Sequence, residues 1–477
     1  MIKFWKRHKI RCLLLFILAY LLIGATVPFM IYRKLQKDTL KEFDPGRFRS
    51  GAAGTERAAL LETNLSAWEE RLRLLDRAKE RIILATFDMR EGKSSRDILS
   101  VLLAKAEEGV KVQILVDGVS GLIQMEGHEL FYALSSHPNV EIKIYNKLNL
   151  LKPWTLQGRM HDKYVIVDQE AYILGGRNTF DYFIGNYTKK NVSYDREVLV
   201  YNTEPDSTDS SLLELLNYFE GVWSQRECKL FHDSEKLAEK EKVKEERAAL
   251  EKRYQELQNE FPELFDKSWN YEEHTFEAGE IHLLSNPTHV NAKEPVLFAS
   301  LMKLMKAAEE RVVIQSPYVV CNNWMNSELS ELGKAVPDSR ILLNAVENGD
   351  NFVASSDYLF HKKEIIETGI PLYEYDGGTS NHGKSILIDS DLSLIGSYNL
   401  DLRSTYLDTE LMVVIESKEL NAQLSGYLKE MEEDSRRVID KDTFEAPEDL
   451  KIQEASAFKR MAWTVFGFIM QPFRSLI

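Results

Sequence analysis

Two short constellations in this chain hold residues able to do phosphoryl chemistry. The first is His161-Asp162-Lys163, with Asp168 five residues after the lysine, followed by Gly175-Gly176-Arg177-Asn178. The second is His382-Gly383-Lys384, with Asp389 at the same distance, followed by Gly396-Ser397-Tyr398-Asn399. His161 and His382, Lys163 and Lys384, Asp168 and Asp389, and Asn178 and Asn399 are each separated by 221 residues. Chance does not repeat four chemically matched residues at one offset.

His and Lys at positions i and i+2 of extended backbone point to the same side, so imidazole and ammonium reach one pocket while Asp162 or Gly383 faces away. Gly176 and Ser397 stand in small-residue turns where backbone can approach a phosphate, and Asn178 and Asn399 supply amide donors to its oxygens. Two half-sites facing each other would gather two His, two Lys and two Asn around one phosphodiester. One neutral imidazole can attack phosphorus while the other, protonated, gives its proton to the leaving alkoxide. The catalytic set is therefore His161, Lys163, Asp168, His382, Lys384 and Asp389. Within it the lysines offset charge on the non-bridging oxygens, and a structural, turn-capping role is preferred for the two aspartates. Each imidazole needs a partner to fix its tautomer, and Glu197 and Glu410, both just ahead of apolar strands, are the candidates. Neither half shows a carboxylate cluster suited to Mg²⁺, so no metal and no cofactor are implied.

Both constellations fit the H-x-K-x4-D-x6-G-[GS]-x-N pattern of the phospholipase D superfamily. Over residues 60–435 the chain most resembles bacterial cardiolipin synthases, in Arg159-Met160-His161-Asp162-Lys163, in Gly175-Gly176-Arg177-Asn178 with Asp181-Tyr182-Phe183, and in Ser136-His137-Pro138-Asn139-Val140. The resemblance implies transfer of a phosphatidyl group between membrane phospholipids through a covalent phosphohistidine. The expected lipids are phosphatidylglycerol and, as a second candidate, phosphatidylethanolamine. By analogy with the family, His161 is the nucleophile. The two motif copies differ in that Gly176 stands opposite Ser397, and Glu197 follows its Asn by 19 residues where Glu410 follows by 11.

The elements that must position these residues repeat as well. Helical periodicity alternates with short β-branched runs, the signature of an α/β fold. Ala78–Leu84, a helix end running into a strand, is echoed by Ala308–Ile314, Lys111–Val116 by Arg340–Ala345, and Val140–Tyr145 by Ile370–Tyr375. The expected fold is two pseudo-symmetric phospholipase D-type lobes, each a mixed sheet flanked by helices. They meet at one site, so a single chain suffices for a complete, monomeric active site.

From Cys12 to Tyr32 there are 21 uncharged residues, enough to cross a bilayer as one helix. This predicts a single-pass membrane anchor, with a cleaved signal peptide as the alternative, the basic tail inside and the catalytic part extracytoplasmic; the resemblance implies that the membrane is the bacterial cell membrane. The division read from sequence is a basic tail (1–11), a transmembrane helix (12–32), a connector (33–60), a first lobe (61–230), a charged helical connector (231–275), a second lobe (276–440) and a tail with an interfacial helix (441–477). The charged stretch from Ser234 to Asn259 reads as a solvated connecting helix rather than a coiled coil. In Phe458–Ile477, aromatics mixed with Lys459, Arg460 and Arg474 suit a helix among lipid headgroups or one packed back on the protein. Cys12, Cys228 and Cys321 match neither a disulfide framework nor zinc spacing.

The formal net charge of -15 disfavours nonspecific nucleic-acid binding, so no nucleic acid is expected as a partner. A phospholipase D-type hydrolase is the runner-up activity, since acceptor choice rests on pocket shape, and a nuclease comes third. A catalytically dead scaffold would have lost part of one motif. His128, His137, His232, His274, His282, His289 and His361 read as packing or surface residues, and Arg177 and Arg403 as either phosphate ligands or partners of nearby acids.

Overall fold

Runs rich in Val, Ile and Leu form two sheets of nine strands each in the computed structural model, which describes residues 9–188, 190, 192–205 and 207–477. Residues 1–8 of the expected basic tail lie outside that set. The first half supplies β1 (Glu56–Leu61), β2 (Arg81–Thr86), β3 (Lys111–Asp117), β4 (Val140–Tyr145), β5 (Tyr164–Val167), β6 (Ala171–Gly175), β7 (Ser193–Tyr194), β8 (Glu197–Asn202), β9 (Cys228–Leu230) and β10 (Phe276–Glu277). The second supplies β11 (Ile281–Ser285), β12 (Arg311–Gln315), β13 (Asp338–Asn344), β14 (Leu372–Tyr375), β15 (Ser380–Asn381), β16 (Ser385–Ile388), β17 (Leu392–Gly396), β18 (Leu411–Glu416), β19 (Ser435–Val438) and β20 (Phe444–Glu445).

One sheet runs β10-β1-β8-β6-β5-β2-β3-β4-β9 and the other β11-β18-β17-β16-β12-β13-β14-β19-β20. With β11 in the place of β1, eight strands follow the same order in both. The parallel runs are β2-β3-β4 and β12-β13-β14. The duplication is thus one of topology as well as of motif, and the mixed α/β fold with two lobes stands as expected. β1 begins inside the stretch drawn as a connector, and β10 pairs with it, so the first sheet reaches beyond both boundaries drawn from sequence.

The lobes share a core. Tyr164, Leu174 and Val198 of the first sheet pack in one apolar cluster with Ile395, Leu411 and Val413 of the second. Such burial contributes about 25 cal/mol per Å² and holds the two motif-bearing strand pairs face to face.

Three peripheral helices complete the picture. The apolar segment Lys9–Phe29 has a mean hydropathy of 2.4 and is almost wholly exposed, as a bilayer-spanning helix would be. The charged helix spans Glu241–Glu260, and it is not solvated all round. Val243, Leu250 and Leu257 are buried in the core of the first lobe, and Arg96–Glu246 and Arg253–Asp97 ion pairs at 2.7 Å flank them. Their seven-residue spacing is a single narrow stripe, enough for one packing face. The C-terminal helix Ala457–Met470 buries Trp463 and Gly467 against the helix Phe352–Ile366 and leaves Phe458, Met461, Val465, Phe468 and Ile469 exposed.

Candidate active site

Two backbone contacts between the lobes build the site. β7 and β15 pair in parallel, Ser193 opposite Ser380 and Tyr194 opposite Asn381, which sets the next residues, Asp195 and His382, side by side. An isolated bridge joins Met160 to Thr409 and does the same for His161 and Glu410. The His161 Nδ1 to Glu410 Oε1 distance is 2.9 Å, and His382 Nδ1 lies 2.8 Å from Asp195 Oδ2. Each lobe therefore supplies the carboxylate for the other lobe's imidazole. With Nδ1 engaged, Nε2 of His161 is the nitrogen left to meet a substrate, while Nε2 of His382 faces the Tyr318 hydroxyl.

Glu410 lies where the sequence placed it, but Glu197 does not reach a histidine. Its carboxylate is bound by Arg71 at 2.6 and 2.7 Å, with Arg177 at 3.5 Å, entirely within the first lobe. Sheet register gives the reason. Gly175 pairs with Glu197 and Gly396 with Met412, so Glu197 is the counterpart of Met412, and Asp195, two residues earlier, is the counterpart of Glu410.

The small-residue turns serve these carboxylates. A Cβ at Gly176 would fall on the Asp195 carboxylate, so only glycine leaves it room. In the second half Ser397 donates its hydroxyl to Glu410, which also accepts from Ser404 at 2.6 Å. Gly176 and Ser397, expected to touch substrate, instead hold the histidine partners. Asn178 Oδ1 accepts the Asp88 amide at 3.2 Å, and the buried Asn399 Oδ1 has no partner among the described residues.

Asp168 and Asp389 lie away from this cluster. Both adopt positive φ, 50° and 51°, in the turns that end β5 and β16. Asp168 accepts the amides of Lys79, Glu80 and Arg81; Asp389 accepts those of Glu309, Glu310 and Arg311 and pairs with Arg49 at 2.9 Å. Five residues of extended chain, roughly 16 Å, separate each from its lysine. Their place in the catalytic set is corrected to that of turn anchors, each tying its loop to the strand beside it.

Lys163 and Lys384 are buried within the cluster. Lys163 donates to the His161 carbonyl; Lys384 contacts His382 and lies 3.4 Å from Asp195 Oδ2. Between His161 and Lys163, Asp162 points the other way, accepting from Thr409 at 2.8 Å and Tyr218 at 2.9 Å, as the i, i+2 alternation requires. Burial makes charge expensive here and pulls Lys163 down to about 7, even against the attraction of Glu410. It lowers Lys384 too, although Asp195 opposes the shift. Burial and the nearby Lys163 charge hold His161 well below the usual imidazole range, and burial raises Glu410 to about 8. Asp195 differs. Burial alone would raise it, but Lys384, His382 and Arg177 outweigh that and hold it well below the usual carboxylate range.

Besides Asp195, sequence reasoning missed the groups that frame the imidazoles. Tyr318 places its hydroxyl 3.2 Å from His382 Nε2, and Phe87 and Phe183 pack 5.2 and 5.3 Å from the His161 and His382 rings. All three come from loops after strands, with no local pattern to flag them. Arg177 donates to the carbonyls of Leu61, Glu62 and Asp195, and Arg403 pairs with Asp408 at 2.9 Å, so both serve the protein's own acceptors.

The family model described as "Cardiolipin synthase, PLD-like domain" matches residues 72–223 and 301–432. Cardiolipin synthase C of Escherichia coli is 25% identical over 403 residues, covering 76% of this chain and 82% of its own length. Cardiolipin synthase A of Pseudomonas syringae pv. syringae is 27% identical over 356 residues, covering 74% of this chain and 63% of its own. Among solved structures, phosphatidylserine synthase of Haemophilus influenzae shares the fold with a TM-score of 0.62 at 13% identity, covering 91% of this chain and 100% of that one.

Proposed function

Because this chain belongs to the cardiolipin synthase family of phospholipase D-like proteins, we propose that it transfers a phosphatidyl group to the hydroxyl of a second phospholipid through a phosphohistidine on His161. Membrane phospholipid is its substrate class, with phosphatidylglycerol the preferred donor and acceptor and phosphatidylethanolamine a second donor. The observation that carries this reading is the crossed pair of carboxylate-held histidines, with two buried lysines beside them.

His161, kept neutral by burial, attacks phosphorus with Nε2, and the bond from phosphorus to the departing alcohol's oxygen breaks. His382 gives that alkoxide a proton, and the ionised Asp195 offsets the charge its imidazolium carries beforehand. In the second half His382 takes the proton of the acceptor hydroxyl, the acceptor oxygen bonds to phosphorus, and His161 leaves. Lys163 and Lys384 offset charge on the non-bridging oxygens in both steps.

The loop just ahead of His161 supports a membrane substrate. Leu150 is 62% and Leu151 80% exposed, and the Tyr20 hydroxyl of the apolar helix donates to the Leu151 carbonyl at 2.8 Å. That contact ties the loop to the apolar helix, so a membrane-inserted helix would hold this loop against lipid. The helix serves as a single-pass anchor, with the catalytic part outside the cytoplasm.

Purified protein in vesicles of phosphatidylglycerol and phosphatidylethanolamine, assayed by lipid mass spectrometry, tests the proposal. Cardiolipin that vanishes with His161→Ala or His382→Ala supports transfer. Phosphatidic acid alone would replace transfer with hydrolysis, and intact lipids throughout would remove the phospholipid reading.

A further inference from the structure

A cavity of about 1120 Å³ lies where the N-terminal apolar helix gives way to the globular part, lined by none of the His/Lys constellation. One wall is the chain from Met30 to Lys41. The other is the helix Val296–Lys306 and the start of the helix Asn323–Ala335. Its lining combines two chemistries. Ile31, Leu35, Met302 and Trp324 make it apolar, while Arg33, Lys34, Lys37 and Lys41 bring four cations that form no ion pair with the described residues. The lining carboxylate Glu328 is taken by Lys306 at 2.8 Å. In a chain of net charge -15, this is a local reversal of sign.

We propose that this cavity holds one anionic phospholipid of the surrounding bilayer, as a site separate from the catalytic one. The cations match a headgroup phosphate, and the apolar lining matches acyl chains that a free phosphate or a nucleotide would leave uncovered. Position supports the same occupant. The cavity begins at Met30, directly after Lys9–Phe29, so its mouth sits at headgroup level when that segment spans a membrane. Juxtamembrane cations contribute about fivefold each to anionic-lipid binding, so neutralising four lowers affinity by up to about 600-fold.

The experiment uses full-length His161→Ala protein, which leaves lipid unturned, with phosphatidylglycerol carrying a photoreactive acyl chain, in vesicles with phosphatidylcholine. After irradiation, labelled peptides are mapped by mass spectrometry. Label within residues 30–41 and 296–306 is expected. It should drop by several hundredfold, up to about 600-fold, in signal-matched titrations when Arg33, Lys34, Lys37 and Lys41 are all replaced by Gln. It should also drop with Ala299→Trp, which fills the apolar wall without changing charge and decides the matter should the quadruple variant fail to fold. Label confined to peptides around His161 and His382 overturns the proposal. So does equal labelling by a photoreactive phosphatidylcholine, or loss of label on adding millimolar inorganic phosphate, which would make the ligand a phosphate ion alone. None of these readouts needs turnover, so failure of the transferase reading leaves this site independently decided.

Discussion

Asp195→Asn should disable the enzyme while leaving its shape nearly intact, and Glu197→Gln should do the reverse. In the wild type, Asp195 lies 2.8 Å from His382 Nδ1 and 3.4 Å from Lys384 Nζ, fully buried. A unit charge pair at that second distance is worth about 5 kcal/mol at an effective dielectric of about 20. Removing one partner of such a pair typically costs about 3–5 kcal/mol. If that loss falls on the transition state, at about 1.36 kcal/mol per decade kcat/KM drops roughly 10²- to 10⁴-fold. Glu197→Gln strands Arg71 and Arg177 instead, both buried and neither bonded to His161 or His382 among the described residues. It should lower the unfolding temperature and leave activity per folded molecule within about tenfold. The assay is cardiolipin formation in vesicles alongside thermal unfolding of both variants. An active Asp195→Asn protein, or a folded and inactive Glu197→Gln protein, would refute the crossed-carboxylate account.

Gly176→Ala puts a methyl where the Asp195 carboxylate sits, so it should cost on the order of 100-fold in kcat/KM by misplacing His382; near-native turnover would show that the carboxylate has room. Lys163 is pulled to about 7 in the free enzyme, so its positive charge is lost as pH rises through that value and kcat/KM should fall above it. His161, held below its ordinary 6.5, adds no acid limb there, and a profile level to about pH 9 sinks this assignment. A phosphodiester with a nitrophenolate leaving group needs no proton donor, so it should restore the first step to His382→Ala but not to His161→Ala, read as a nitrophenol burst; the opposite pattern would exchange the two roles. Leu150→Glu with Leu151→Glu should weaken vesicle turnover at least about tenfold while sparing a soluble short-chain lipid, and equal loss on both substrates would place that loop's role elsewhere.

The His, Lys and Asn pairs were legible in the sequence because the chemistry fixes residue type and spacing, and the 221-residue repeat supplies an internal control. The two-lobe α/β fold was legible for the same reason. Asp195 was hidden by a false echo: Asp195-Arg196-Glu197 aligns by eye with Asp408-Thr409-Glu410, yet hydrogen-bond register sets Asp195 against Glu410. The stretch between Asn178 and its carboxylate is six residues longer in the first half, 17 against 11, and spacing alone gives no way to place those residues. Gly176 could not be told from a phosphate-cradling glycine, because the carboxylate it makes room for arrives from tertiary packing. Tyr318 had no signal at all; its place depends on how the loop after β12 folds over His382. Val243, Leu250 and Leu257 were visible at their spacing, but three apolar residues in a charged helix only become meaningful once a groove on the first lobe receives them.

The exchange of carboxylates across the lobes explains why a duplicated chain keeps both halves intact. Neither lobe supplies both members of a His–carboxylate pair: His161 meets Glu410 and His382 meets Asp195, each delivered by an interlobe backbone contact. The two half-sites are nevertheless not equivalent. Asp195 lacks one methylene, packs against Gly176 and stays ionised beside Lys384, whereas Glu410 leans on two serine hydroxyls and is raised by burial to about 8. Under the proposed roles, the ionised Asp195 suits the imidazole that carries the proton, while Glu410, by accepting the Nδ1 proton of His161, leaves Nε2 of that ring free to attack. Pseudosymmetry thus builds the pocket, and a Gly-for-Ser, Asp-for-Glu difference between the copies makes its two halves chemically distinct.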